Sequence, residues 1–170
     1  IRTGHVNPQS MKQGYELHRL LLELAPYHLS ISPLDVGYLE VLFGFDLECK
    51  ANHDEVVYEA LYSQSPAGAL LRGKGCRPTD VQPVFGMTLP DSDMQCFFDV
   101  KTRLKGKRGK ARRFRDDPIS ILLTLRKNGP VKSTEDLLPL FDQMTAQAEQ
   151  LAVDLLIPNL LLPIARQITS

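Results

Sequence analysis

Fifteen residues in the middle of the chain, K-T-R-L-K-G-K-R-G-K-A-R-R-F-R at 101–115, hold nine of its twenty cations and no acid. They are Lys101, Arg103, Lys105, Lys107, Arg108, Lys110, Arg112, Arg113 and Arg115. Cations packed this closely suit a polyanion. Each phosphate they neutralise releases condensed counterions, so binding is strong at low salt, weak at high salt and largely indifferent to base sequence. Gly106 and Gly109 interrupt the run, and Phe114 is a single aromatic that can stack on a base. The rest of the chain carries 11 cations against 20 anions, so the formal net charge of zero conceals an acidic body with a basic segment of +9. The anion-binding candidates are Lys105, Lys107, Arg108, Lys110, Arg112, Arg113 and Arg115, with nucleic acid or an acidic protein as partner. Plain solvation of the segment and docking onto the acidic body of a neighbouring copy are the competing uses.

A second group is acidic. Asp46, Glu48, Asn52, His53, Asp54, Glu55 and Glu59 fall within fourteen residues. A divalent metal held by Asp46, Glu48 and His53, or a carboxylate–histidine acid/base pair, can be drawn from such side chains. However, H-D-E-V-V-Y-E is not H-E-x-x-H, and carboxylates in a first helical turn are accounted for by the helix dipole alone. His5, His18 and His28 lie at no ligand spacing. Cys76 sits beside Lys74 and Arg77 with no base next to it in sequence. The glycines match neither a phosphate-binding loop nor a dinucleotide fingerprint, and no serine stands in G-x-S-x-G. No motif names a reaction, and no cofactor is expected.

These residues need elements to position them. Ser10 caps a helix from Met11 to Leu24, with Leu17, Leu20, Leu21 and Leu24 at helical spacing. Residues 38–49 alternate, Leu39, Val41, Phe43, Phe45, Leu47 and Cys49 against Glu40, Gly44, Asp46 and Glu48, which is a strand with one buried face. Asn52, with Glu55 three residues on, opens a short helix to about Ser63. Val81–Leu89, Met94–Leu104 and Ile119–Arg126 read as three more strands. Pro83 places the first at an edge, and Pro90-Asp91-Ser92-Asp93 turns it into the second. A helical segment capped at Ser133 or Thr134 follows, with Leu137, Phe141, Met144, Ala148, Leu151 and Leu155 in line. Pro139 suggests a kink or a restart, and Pro158 and Pro163 suggest a break into a second helix.

The expected fold is therefore α+β: two layers, a mainly antiparallel four-stranded sheet with helices on one face, in the order α-β-α-β-β-β-α-α. Residues 1–10 read as a flexible arm and 11–170 as one domain, of a size that needs no disulfide or metal staple. Three cysteines without CxxC spacing point to free thiols and a cytoplasmic setting. The apolar stretch from Leu151 to Ala165 is short of the ~20 residues that span a bilayer, so no membrane span is expected. L-L-I-P-N-L-L-L-P-I-A at 155–165 is apolar all round and asks for cover on more than one side, by the sheet and by a second subunit in a homodimer through the C-terminal helices, with enclosure by the N-terminal helix as the competing reading. The leading expectation is a non-enzymatic binding or adaptor domain using the basic segment. The alternatives are a metal-dependent enzyme at Asp46/Glu48/His53 and a structural assembly subunit.

Overall fold

The computed structural model describes residues 1–71, 73, 75–90, 92–102 and 117–170. Four strands, β1 (Tyr38–Leu47), β2 (Val84–Thr88), β3 (Met94–Lys101) and β4 (Ile119–Asn128), form one antiparallel sheet in the order β1-β4-β3-β2. The helices are α1 (Met11–His28), α2 (His53–Leu61), α3 (Leu137–Leu151) and α4 (Leu162–Thr169), with a π-helical segment, Ala152–Leu161, joining the last two. The α+β class with a four-stranded antiparallel sheet is as the hydropathy pattern implies.

Alternation decides which sheet face is buried. Met94, Cys96, Phe98 and Val100 on β3, and Ile119, Ile121, Leu123 and Leu125 on β4, are all buried, whereas Gln95, Phe97, Asp99, Leu122 and Thr124 between them are only half-buried. The register of β2 on β3 runs from Val84↔Asp99 to Thr88↔Gln95. It continues past both ends of β2 through Val100 N–H to the Pro83 carbonyl and Leu89 N–H to the Met94 carbonyl.

By backbone proximity the chain divides into two compact units, Ile1–Val41 with Arg126–Gln147, and Leu42–Leu125 with Ala148–Ser170. In the first, Ser10 caps α1 by accepting from Gln13 N–H, and the helix continues through Pro26 to His28. Arg19 pairs with Asp142, and the Tyr15 ring meets Phe141 edge-on at 6.0 Å. Arg126 donates to the Glu40 carboxylate from Nε at 2.8 Å, and its guanidinium lies 4.7 Å above the Tyr38 ring. Gly129, at φ +94°, makes the left-handed turn that leaves β4 and returns its N–H to the Gly37 carbonyl. Of the leucines at helical spacing, Leu17, Leu20 and Leu24 are 40–51% exposed on α1.

In the second unit α2 packs against α4. Pro158 and Pro163 do not break the C-terminal helix, which runs without interruption over Thr134–Thr169. Pro139 stands in the first turn of α3, where a missing N–H leaves no bond unmade. Around Pro158 the backbone widens to i→i+5 bonding, and the Asn159 side chain donates to the Leu155 carbonyl at 2.8 Å. The widening has a packing consequence. Ala148, Ala152, Leu156, Leu160 and Ile164 are buried, each four residues from the last. In an α-helix four residues overshoot a full turn by about 40°, which would carry Ile164 about 160° away from Ala148. Wider turns hold the five on one line. This helix is long and apolar enough to cross a membrane, with a mean hydropathy of 1.4 over its best window. Of that window 22% is buried.

Candidate functional site

The described residue nearest the centre of the basic run is Thr102, and the chain holds it tightly. Asn52 caps α2, its side-chain oxygen accepting from Asp54 N–H at 3.1 Å and Glu55 N–H at 3.4 Å. The capped start turns His53 and Asp54 inward, leaving them 6% and 4% exposed. The Asp54 carboxylate accepts from the Thr102 hydroxyl at 2.8 Å and from Val81 N–H at 2.9 Å. The His53 ring bridges two carbonyls: Nδ1 lies 3.0 Å from Thr102 O and Nε2 2.9 Å from Cys49 O. The paired helix-start residues thus grip the hydroxyl and the carbonyl of one threonine directly after β3.

This arrangement fastens the start of α2 to the end of β3. Both imidazole nitrogens are occupied by backbone, leaving neither for a metal or for a substrate proton. Asp46 accepts from the Ser120 hydroxyl at 2.7 Å, and Glu48 is exposed beyond the end of β1. Among the described residues no group of three or more His, Cys, Asp or Glu is placed to hold a metal ion. Two surface hollows lie elsewhere. One is lined by Val36, Leu39, Pro130, Val131 and Leu140 among others, the other by Gly86, Met87, Thr88, Gln95 and Phe97.

The anion-binding candidates Lys105, Lys107, Arg108, Lys110, Arg112, Arg113 and Arg115 lie outside the described residues. Of the nine cations in 101–115 only Lys101 is described, and its ammonium pairs with Asp99 at 2.9 Å. On the far side the described chain resumes at Asp117 and enters β4 at Ile119. The segment therefore joins two strands that are neighbours in the sheet.

Compared with protein-family models, curated proteins and solved structures, the chain matches none.

His18 and Cys96 have pKa values moved by burial. His18 lies edge-on to Phe141 at 6.2 Å with its Nδ1 buried and without a hydrogen-bond partner. Burial, and then the neighbouring His5, hold its pKa below the ordinary histidine value. Cys96 is fully buried on β3, which pushes its thiol up to about 11. Cys49 is buried and Cys76 exposed; all three cysteines are free. Sequence reasoning missed Thr102 and Asp54 as a pair. In sequence Asp54 is fully explained by the helix dipole, and no one-dimensional pattern links residues 54 and 102.

Proposed function

We propose that this chain is a non-enzymatic binding or adaptor domain that meets an anionic partner, nucleic acid or an acidic protein surface, through its basic segment 101–115. The observation that carries this is the charge partition: nine cations without an acid in fifteen residues, against 11 cations and 20 anions elsewhere. Two features of the fold support it. The segment leaves β3 and the chain re-enters the sheet at its neighbour β4, and Thr102, the last residue described before the remaining cations, is gripped by His53 and Asp54. The segment concentrates nine cations within fifteen residues of sequence, and an otherwise acidic body repels polyanions from the rest.

The test is binding of a fluorescent single-stranded oligonucleotide and of polyglutamate, titrated from low to high salt. The account expects salt-sensitive binding to at least one of them, lost when Arg108, Lys110, Arg112 and Arg113 are changed to serine. Equal binding by both proteins, or binding of neither polyanion by the wild type at low salt, overturns it.

Self-association through the C-terminal helix is a second reading, favoured by Val153, Leu155 and Leu162, which are 63%, 39% and 42% exposed on that helix. Val153→Glu with Leu162→Glu would abolish it. A change in sedimentation mass that survives this pair of substitutions excludes the helix as the contact.

A further inference from the structure

The outer edge of β2 combines two features that call for a strand as partner. β2 ends the sheet, and its bonds to β3 run through Pro83, Phe85, Met87 and Leu89, as the flanking pairs Val100 N–H to Pro83 O and Leu89 N–H to Met94 O require. The backbone groups of Val84, Gly86 and Thr88 therefore face outward, and among the described residues nothing bonds to them. The side chains add the second feature. Val84 is 61% exposed and Phe85 49% exposed, and as consecutive strand residues they lie on opposite faces of the sheet. A helix or a lipid surface laid on the sheet covers one face only. A strand added in the plane of the sheet covers both.

We propose that β2 pairs antiparallel with β2 of a second copy, about a twofold axis at Gly86. In that register Val84 faces Thr88 of the second copy, Phe85 faces Met87, and Gly86 faces itself. The first is a β-branched pair and the second an aromatic–thioether pair, both favourable across strands. V-F-G-M-T carries no charge, so no like charges oppose one another when the strand meets itself. Gly86 needs no side chain of its own at the axis, because the Phe97 ring already lies over it: a Cβ there would stand 3.1 Å from the ring. Three outward residues on each strand supply six hydrogen bonds. Natural edge strands are commonly guarded by lysine, proline or a bulge, and none lies within these five residues. A contact of this size is below that of a permanent interface, so the dimer is concentration-dependent, in the micromolar range of about 1–100 μM. The inference is independent of the anion-binding segment and of the C-terminal helix.

Amide hydrogen exchange at Val84, Gly86 and Thr88 tests it, read as a function of protein concentration alongside sedimentation. Exchange at these three amides is expected to slow at least several-fold as the dimer fills. Val84→Lys with Thr88→Lys places lysines opposite each other in the dimer, while the lysine at position 84 still meets Asp99 within the chain. This variant stays folded by circular dichroism, and its three amides exchange at one rate at every concentration. Val84→Lys with Thr88→Glu sets opposite charges face to face and restores the concentration dependence. Amides in the wild type that ignore concentration, or a double-lysine protein that behaves as the wild type, would overturn the proposal. Association through the helix leaves these amides unchanged, so the two contacts are distinguished.

Discussion

His53 and Thr102 are 49 residues apart in the chain, and the imidazole Nδ1 of one lies 3.0 Å from the carbonyl oxygen of the other. With Asp54 on the threonine hydroxyl, the first turn of α2 holds the end of β3 at the point where the basic run begins. The bonds are buried, and removing one partner leaves another polar group unsatisfied away from water.

Asp54→Ala strips Val81 N–H and the Thr102 hydroxyl of their shared acceptor. Chemical denaturation should show a loss of about 2–4 kcal/mol, because both donors stay buried. Thr102→Val, which removes one donor and keeps the shape, is expected to cost about 1 kcal/mol. The double variant should fall short of the sum by about 1 kcal/mol, the signature of a direct interaction. Strict additivity would mean that the two side chains do not act on each other.

Gly68 is held by its neighbours and not by its φ. Its carbonyl accepts the Tyr58 hydroxyl at 3.0 Å, and a Cβ built on it would fall 1.9 Å from the Tyr62 backbone oxygen. Gly68→Ala therefore has to displace backbone and is expected to lower stability by about 1–3 kcal/mol. A melting temperature equal to that of the wild type would show that the 62–68 turn is held otherwise.

The cysteines should separate in a thiol-labelling experiment. At pH 8 the native protein is expected to react at Cys76 alone, since Cys49 and Cys96 are buried and burial raises the Cys96 thiol to about 11. All three react in denaturant. Labelling of Cys96 at the rate of Cys76 in native buffer would contradict its placement inside the sheet's core.

His18 supplies a pH dependence with a definite sign. Its folded-state pKa is lowered by burial and by His5, so the fold favours the neutral ring. Its contribution is present in full above the unfolded value of 6.5 and is lost as pH falls from there through the lower folded value. Denaturation midpoints should drop across that window, and His18→Leu should flatten the drop. An unchanged pH profile in the variant assigns the slope to other groups.

Much of the architecture is legible in the sequence because period-two alternation survives in β1, β3 and β4, and because Ser10, Asn52 and Ser133 stand as helix caps. Other features are altered for physical reasons. Pro158 and Pro163 read as breaks, since a proline cannot extend an α ladder; a π-helical stretch accommodates them and aligns Ala148 through Ile164. The helical spacing of Leu17, Leu20, Leu21 and Leu24 marks the element and not its inward face, since α1 turns Gly14, Tyr15, His18, Leu21 and Leu22 inward. The His53 region stands out in sequence as a cluster of ionisable groups, but what it binds is Thr102, and long-range pairing leaves no mark in local spacing.

The central claim is that the +9 segment engages an anion. Its most direct test is the slope of log affinity against log salt for a single-stranded oligonucleotide, with wild type and the Arg108→Ser, Lys110→Ser, Arg112→Ser, Arg113→Ser protein compared side by side. Each lost phosphate contact lowers the slope by about 0.7, so four should lower it by about 3, with an unchanged far-ultraviolet spectrum. Equal slopes and equal affinities in the two proteins would contradict the claim.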